Sequence, residues 1–133
     1  MVINLKDWRG NEMDFIHPFV ISYENKKDSQ LDLDVHMDDA EITMNLCIKG
    51  EWDGNEVYFD GVRTDPNPKK VTLPSRPGYA VIHAGQNSHG AKKIRKGFRR
   101  NLVFWFKSQN YRNSPAELYN EYCTNSQIIK NEL

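Results

Sequence analysis

The 133-residue sequence has little cysteine, no excess of either charge and no long hydrophobic run, and each absence excludes a class of protein. Two cysteines, Cys47 and Cys123, are too few for a disulfide scaffold. The 18 basic and 18 acidic residues cancel, which argues against nucleic-acid binding through overall charge but does not exclude a local basic patch. No apolar stretch approaches the roughly 18 residues that a membrane span needs, so no membrane association is expected.

The two ends of the sequence say little about the compartment. Residues 1–10 have neither the basic start nor the apolar stretch of a signal peptide. The last four residues, Lys130 to Leu133, read KNEL and resemble an ER-retention tetrapeptide in loose form. Because no signal sequence accompanies this tetrapeptide, the expectation is a cytoplasmic protein or an unassigned compartment.

What the sequence does contain is a series of short apolar and β-branched segments separated by turn residues. These segments are residues 14–23, 40–49, 57–62, 78–84 and 100–108, and residues 50–56, GEWDGNE, are predicted to form a turn. A single helix has clear start signals, at 114–123. Ser114 suits the N-cap, Pro115 suits the first helical position, and Glu117 completes a capping box. Many short strands and one short C-terminal helix predict a single, mainly all-β domain over residues 1–133, a sandwich or barrel such as a jelly roll.

Strand alternation separates a polar face from an apolar one. Polar or small side chains fall on one side of two segments: Thr43, Asn45 and Cys47, then Arg99, Asn101, Val103 and Trp105. The opposite side is apolar and includes Leu46, Ile48, Leu102, Phe104 and Phe106. If the polar face lines a cavity, the apolar face needs cover, because a large exposed apolar patch is unusual in a soluble monomer. We expect that cover from the helix near 114–122 or from another subunit, for example in a homodimer.

The stretch HMDD, residues 36–39, begins the pattern that carries chemistry. His36 and Asp38 project to the same side of a strand or its end, because side chains two residues apart share a face, and Asp39 then points away. Two imidazoles and one carboxylate form the facial triad of non-haem Fe(II) sites, which leaves open positions for a co-substrate and O₂. His89, about fifty residues later, supplies the second imidazole. Arg99, ten residues further on, can hold a carboxylate by a bidentate fork.

Alternatives remain for each of these residues at this stage. A His-x-Asp pair alone occurs by chance in many proteins, and a histidine in a loop is more often solvated than ligating. His83, in the segment YAVIHA, competes with His89 for the role of second imidazole. Arg100 competes with Arg99, and both lie in the basic stretch KKIRKGFRR, which is also typical of a solvated edge.

The combination of motifs resembles the iron(II)/2-oxoglutarate-dependent dioxygenases, in their prolyl-4-hydroxylase-like branch. The matching stretches, within about residues 15–108, are HMD, EITMNLCI, WDGNEVYF and HGAKKIRKGFRRNLVFWF. WDGNEVYF resembles the family's Gly-Gly-Glu-Leu-x-Phe turn with Asn55 in place of the second glycine, and asparagine tolerates the left-handed conformation better than most residues. The resemblance implies a double-stranded β-helix, Fe(II), 2-oxoglutarate as co-substrate, O₂ and, commonly, ascorbate.

Carried over residue by residue, the resemblance implies a complete site. His36, Asp38 and His89 are the metal ligands and the catalytic residues, and Arg99 grips the distal carboxylate of 2-oxoglutarate. Tyr23 matches a tyrosine that often lines the co-substrate pocket, and Thr43 and Asn45 join it by strand parity. The expected substrate is a protein or peptide, hydroxylated on a prolyl or lysyl side chain. Family members usually carry N-terminal helices over the larger sheet, so this chain is expected to be a shortened or minimal member or one that dimerises.

Two other functions stay open from the sequence. The same chemistry can act on a nucleic-acid base, with the basic stretch holding phosphates. The chain can also be a non-enzymatic jelly-roll binding module, which predicts no turnover of 2-oxoglutarate.

Overall fold

A computed structural model describes residues 2–3, 13–62 and 70–113 of the chain. Nine strands precede one helical turn, α1, at Gln109–Arg112. The strands are β1 Val2–Ile3, β2 Phe15–Glu24, β3 Leu33–His36, β4 Ile42–Gly54, β5 Val57–Val62, β6 Val71–Leu73, β7 Ala80–Ala84, β8 Asn87–Ala91 and β9 Ile94–Lys107. The helix predicted at 114–123 lies outside the described residues. Within them, no helix is long and apolar enough to cross a membrane.

The strands form two sheets, and the prediction of an all-β jelly roll is confirmed. The larger sheet has the order β1-β7-β4-β9-β2 and the smaller one β3-β8-β5-β6. Neighbouring strands are antiparallel apart from the short β1, which pairs with β7 in parallel. The consecutive strands β7, β8 and β9 alternate between the sheets, and this alternation places the polar inner face of the larger sheet opposite His36 and His89 of the smaller one.

Four strands, β1, β3, β6 and β8, lie outside the five predicted segments, and one turn was misplaced by the sequence pattern. Strands β3, β6 and β8 are short, and β8, with the sequence NSHGA, contains no β-branched residue and no Phe, Tyr or Trp. The turn predicted at 50–56 is wrong, because β4 continues to Gly54 past an irregularity between Cys47 and Lys49. The turn therefore falls at Gly54 and Asn55, whose φ angles are 80° and 56°, so the expectation that Asn55 can replace a glycine there is confirmed.

The outer face of the larger sheet carries the apolar side chains that alternation predicted. Ile16 pairs with Phe106 and Val20 with Leu102 across β2 and β9. Ile16 is 52% exposed, Val20 59% and Ile48 46%, whereas the four other predicted outer side chains, Leu46, Leu102, Phe104 and Phe106, are half-buried. Cover for this face by the segment near 114–122, by N-terminal helices or by a second subunit stays a prediction.

The inner face of the larger sheet is buried but unusually polar. Thr43, Cys47, Arg99 and Asn101 are each at most 2% exposed. The apolar core is correspondingly small: one cluster of Tyr23, Ala91 and Ile94, and a second of Val57, Phe59 and Leu73. Buried polar groups cost free energy unless they have hydrogen-bond partners, so this face is suited to line a cavity for a polar or charged ligand rather than to pack an apolar core.

Gly97 fixes the backbone from which Arg99 projects. Its φ is 75°, and a Cβ at this position would overlap the backbone carbonyl oxygen of Glu51 on the neighbouring strand β4. A side chain at residue 97 therefore requires both a left-handed conformation and a shift of β4 against β9. The shift would move Arg99, which pairs with Gly50 in the same ladder.

We expect Gly97→Ala to destabilise the protein more than Gly78→Ala. Gly78 also has a positive φ of 84°, but a Cβ there meets nothing within 4 Å. The control should therefore cost only the left-handed strain of about 1–2 kcal/mol, and Gly97→Ala should cost a further ~1–3 kcal/mol for the overlap. Denaturant unfolding of both variants measures the difference. An equal decrease in the free energy of unfolding for both variants would mean that β4 can shift to accommodate the new Cβ at residue 97 without an energetic cost.

Candidate metal and co-substrate site

His36 and His89 lie side by side on two neighbouring strands of the smaller sheet. They are direct cross-strand partners on β3 and β8, and their ring centroids are 4.4 Å apart. His36 Nδ1 lies 2.8 Å from the Asp34 carbonyl oxygen and His89 Nδ1 lies 2.8 Å from the Asn87 carbonyl oxygen. A carbonyl only accepts, so each Nδ1 carries a proton, and Nε2 of each ring is directed at the space between them, where it presents a lone pair in the neutral form.

Asp38 completes the group between the two histidines. Its backbone N–H donates to the Gly85 carbonyl at 2.9 Å, which holds the residue just after β3. One carboxylate oxygen lies 3.4 Å from His36 Nε2 and the other lies 3.6 Å from His89 Nε2. Thr43 Oγ1 donates a hydrogen bond of 2.6 Å to Asp38 Oδ2.

The three residues form a group that could hold a metal ion, because one ligand atom from each lies within 4.8 Å of the other two. Two imidazole nitrogens and one carboxylate are the donor set of a non-haem Fe(II) site with open positions. The side chains of Asp38 and His89 are 4% and 9% exposed, whereas that of His36 is 33% exposed. The group therefore fits a divalent ion and opens to solvent on the side of His36.

The electrostatics keep the ligand atoms available. Burial raises the pKa of the Asp38 carboxyl, but the hydrogen bond with His36, the electrostatic attraction to the nearby His89 and the Thr43 hydroxyl outweigh burial and hold the pKa below its usual value. Burial lowers the pKa of His89. The contact with Asp38 raises the pKa of His36. At neutral pH the carboxylate is therefore charged and His89 is neutral, the protonation states in which each binds a metal.

Asp39, the second aspartate of HMDD, points away from the site as expected. Its side chain is 64% exposed and pairs with Lys107 and Arg112. Arg112 also pairs with Glu41. This network ties the segment after β9 to the loop that carries the metal-binding residues, so Asp39 has a structural contact rather than a place at the ion.

Arg99 is buried at the other end of the cavity and is 0% exposed. Its Nη1 donates to the Asn55 carbonyl oxygen at 2.7 Å. Among the described residues its Nε and Nη2 have no hydrogen-bond partner. A buried guanidinium with unpaired donors is costly, and a carboxylate that accepts from these donors fits it in charge and geometry. Arg100, the alternative from the sequence, is exposed, which confirms the predicted strand parity.

Aromatic rings surround the Arg99 guanidinium. Its Cζ lies 5.0 Å from the ring centroid of Tyr23, its cross-strand partner, and 5.7 Å from that of Trp52. Burial raises the pKa of Tyr23 to about 12, with the charge of Arg99 acting in the opposite direction. Burial also lowers the pKa of Arg99. The guanidinium therefore lies in a low-dielectric pocket where an anion would be held strongly.

One cavity of about 230 Å³ joins the metal-binding group to Arg99. All seven residues predicted for the site line it: Tyr23, His36, Asp38, Thr43, Asn45, His89 and Arg99. The end with Arg99 and Tyr23 is closed, since these side chains are at most 3% exposed, and the end near His36 and Phe19 is open. The assignment of roles within this cavity stays a prediction.

Three residues of this region have contacts that the sequence pattern did not predict. Asn55 was identified as a turn residue, but its carbonyl also binds Arg99. Trp52 was assigned to a turn, whereas it lies on β4 and stacks near the guanidinium. His83 was a rival ligand and instead lies beside the group, with Nε2 3.8 Å from Asp38 Oδ2. Their long-range contacts leave no local signal in the sequence.

None of the known family models matches the chain. The chain is 36% identical over 110 residues to 2-oxoglutarate and iron-dependent oxygenase domain-containing protein ICU11 of Arabidopsis thaliana, which covers 77% of this chain and 27% of that protein. It is 32% identical over 134 residues to 2-oxoglutarate and iron-dependent oxygenase domain-containing protein 2 of Mus musculus, covering 99% of this chain and 37% of the mouse protein. The chain thus spans only about a third of the length of these curated relatives.

Solved structures support the same relationship at the level of the fold. A 2OG-Fe(II) oxygenase family oxidoreductase from Burkholderia pseudomallei superposes with a TM-score of 0.54 at 14% identity, over 69% of this chain and 41% of that one. EvdMO1 superposes with a TM-score of 0.53 at 17% identity, over 72% and 28%. The prolyl-4-hydroxylase-like branch stays a prediction. In sequence and in fold, the chain is a relative of the 2-oxoglutarate and iron-dependent oxygenases.

Proposed function

We propose that the chain is the catalytic core of an Fe(II)- and 2-oxoglutarate-dependent dioxygenase that hydroxylates a C–H bond and releases succinate and CO₂. The observation that carries this proposal is the single cavity with a His-Asp-His group on one wall and, at its closed end, a buried guanidinium of which two nitrogens have no hydrogen-bond partner in the described part of the chain. A dicarboxylic keto acid is the co-substrate class that needs both features. The names and fold of the relatives support it.

Each predicted residue has a definite task in this proposal. His36, Asp38 and His89 hold iron, which when bound supplies the redox chemistry that couples 2-oxoglutarate oxidation to hydroxylation. Arg99 and the Tyr23 hydroxyl bind the distal carboxylate in a dry pocket. Thr43 steadies Asp38 by its hydrogen bond. Asn45, whose Oδ1 already accepts from Asn101 Nδ2 at 2.7 Å, lines the wall between the two ends.

A peptidyl side chain, prolyl or lysyl, is the proposed substrate. Phe19 and Trp105 pack edge to face with ring centroids 5.1 Å apart and line the cavity, which suits a C–H-rich side chain. The Trp105 indole N–H is buried with no hydrogen-bond partner among the described residues, and a peptide carbonyl would satisfy it. Ascorbate is expected to support turnover, as the resemblance implied.

A nucleic-acid base fits less well. The basic stretch lies where β8 joins β9, and Asn55 N–H donates to the Lys93 carbonyl there, on the side of Arg99 rather than at the open end. Arg95 is engaged in a bidentate pair with Asp53, and Lys92 pairs with Glu56. A phosphate backbone at the open end would therefore not meet these charges. Strong salt dependence of substrate binding would overturn this preference.

The test of class needs no substrate. Anaerobic addition of Fe(II) and 2-oxoglutarate to the protein should produce the weak visible charge-transfer band of a metal-chelated keto acid, and admission of O₂ should yield succinate slowly. Fe(II) with succinate instead of 2-oxoglutarate is the control and should give no band. Absence of both the band and succinate formation would favour the non-enzymatic binding module.

A further inference from the structure

Strand β2 ends the larger sheet, and only one of its two edges is paired. Its single neighbour is β9, with which it pairs without interruption from Phe15 to Glu24. In the part of the chain that the structure describes, no strand lies on the other edge. A free edge of this length presents unpaired backbone N–H and carbonyl groups and is a template for an added strand.

Two backbone contacts show which groups of β2 face the free edge. The Asn25 N–H donates to the Gly97 carbonyl at 2.9 Å, in register with the ladder to β9. The Glu24 N–H instead points away from β9 and donates to the Gln30 carbonyl at 3.1 Å. Along an antiparallel ladder the backbone groups of successive residues alternate between the partner strand and the other side. The even-numbered residues of β2 therefore turn their backbone groups to the free edge, and they include Pro18, Val20 and Ser22.

Pro18 agrees with this assignment, because proline has no N–H and within sheets takes edge positions whose nitrogen faces solvent. All three residues are exposed, and none of the backbone hydrogen bonds that the described residues make outside the ladders involves them. The free edge keeps the N–H groups of Val20 and Ser22 as donors and the carbonyl groups of all three residues as acceptors. The missing donor at Pro18 therefore restricts the register of an added strand without preventing its addition.

The free edge of β2 borders the mouth of the cavity that holds the metal-binding group. After Gln30 the chain leaves β2, because the Leu31 carbonyl accepts from the Ile94 N–H at 2.8 Å and β3 then pairs with β8. Strands β2 and β3 thus diverge, and the cavity opens between them. Its lining includes Phe19, Ile21 and Tyr23 of β2 and Leu33 and His36 of β3.

We propose that the peptide substrate binds as an added strand along the free edge of β2. A peptide fits this edge because the edge offers backbone groups and borders the cavity in which a side chain has to be placed. Every second side chain of the added strand lies on the face that carries Phe19 and Ile21 and so projects toward the cavity. Backbone pairing gives the affinity, and the cavity gives the selectivity for a side chain. The inference rests on the proposed function, because it assigns a binding mode to the proposed peptide substrate.

Amide hydrogen exchange, detected by NMR, tests the pairing without turnover. The probes are two capped peptides of about nine residues, in which lysine alternates with threonine and the central residue is either lysine or proline. The amides of Val20 and Ser22 should exchange rapidly in the protein alone, and at least one peptide should slow both by about tenfold or more. Protection of these amides without peptide would overturn the proposal. The edge would then already be occupied, by another segment of the chain or, where protection rises with protein concentration, by a second copy.

A matched pair of peptides separates strand addition from other binding. An N-methyl group removes a backbone donor, and the amides of alternate residues face opposite edges of a strand. One form of the lysine peptide is N-methylated on its lysines and the other on its threonines. Only one of the two should lose affinity in calorimetric titration, by about tenfold or more, because it loses at least two backbone hydrogen bonds. Equal affinities of the two forms would overturn the proposal.

Val20→Pro removes one donor from the free edge at a position with the same orientation as Pro18, and Val20→Thr keeps that donor. The proline variant should bind the better probe peptide about fivefold more weakly than the threonine variant, and equal binding would overturn the proposal. If the proline variant does not fold, the N-methylated pair decides. If the unsubstituted protein gives no charge-transfer band with Fe(II) and 2-oxoglutarate, the proposed function fails. If the band forms and neither peptide protects Val20 and Ser22, the binding mode alone is overturned.

Discussion

Asp38→Ala is expected to abolish metal binding and 2-oxoglutarate turnover while the protein still folds. The carboxylate is the only anionic donor in the group of three, and a divalent ion left with two neutral imidazoles loses its charge partner as well as a ligand. The two sheets do not depend on this side chain, because their ladders are formed by backbone pairs that run far beyond it. Calorimetric titration with Co²⁺ measures binding, succinate release measures turnover, and circular dichroism reports the fold.

Asp39→Ala is the matched control, since it removes the same side chain one residue later. Asp39 is 64% exposed and pairs with Lys107 and Arg112 at the surface, where such pairs contribute under about 1 kcal/mol. Metal affinity should therefore stay within about threefold of the unsubstituted protein. Retained binding in Asp38→Ala, or a comparable loss in both variants, would show that the ion is held elsewhere.

Alternation along single strands made much of the site predictable. A strand fixes which side chains share a face, so once Arg99 was placed inward, Asn101, Val103 and Trp105 followed, and the structure confirms that Arg99 is buried and Arg100 exposed. Alternation also predicted which residues of HMDD face the site. His36 and Asp38 project to the same side of the strand, whereas Asp39 projects to the other.

Contacts between the sheets could not be predicted in this way. His83 lies close to Asp38 because β7 and the end of β3 meet through Gly85, whose carbonyl accepts from Asp38 N–H, and no local pattern encodes that meeting. The carbonyl of Asn55 binds Arg99, 44 residues away. Such pairs depend on how two sheets stack, which is decided by many side chains together rather than by the periodicity of one strand.

Strand β8 shows a second reason for failure. Its sequence, NSHGA, is polar and small, so propensity predicts a loop. It is a strand because it is enclosed between β3 and β5, which satisfy its backbone on both sides. Small residues are required there, since a Cβ on Gly90 would come within 2.7 Å of the Leu33 carbonyl oxygen and of the Tyr58 hydroxyl. The strand that carries His89 therefore forms because of its pairing with β3 and β5 and cannot be predicted from its own sequence.

Arg99→Ala is expected to raise the 2-oxoglutarate requirement steeply and to leave metal binding nearly intact. The guanidinium is 0% exposed and two of its nitrogens have no partner among the described residues, so a bound carboxylate would be paired with it in a dry pocket. Removing one member of such a pair costs roughly 2–5 kcal/mol, because the other charge stays buried and unpaired. That corresponds to a loss of about thirtyfold or more in co-substrate affinity.

Arg100→Ala separates the effect of the buried charge from the effect of any positive charge on β9. Arg100 is exposed and its guanidinium lies 5.3 Å from the ring centroid of Phe98, so it can influence an anion only through solvent. An exposed charge contributes under about 1 kcal/mol, and the apparent constant for 2-oxoglutarate should change less than about threefold. The constant is measured in both variants at saturating Fe(II), and the metal affinity of each is measured in the absence of 2-oxoglutarate.

If the two variants lose co-substrate affinity equally, the carboxylate is held by the general positive field of the basic stretch. If Arg99→Ala also loses metal affinity, Arg99 contributes to metal binding as well, and the cavity does not have separate metal-binding and carboxylate-binding ends.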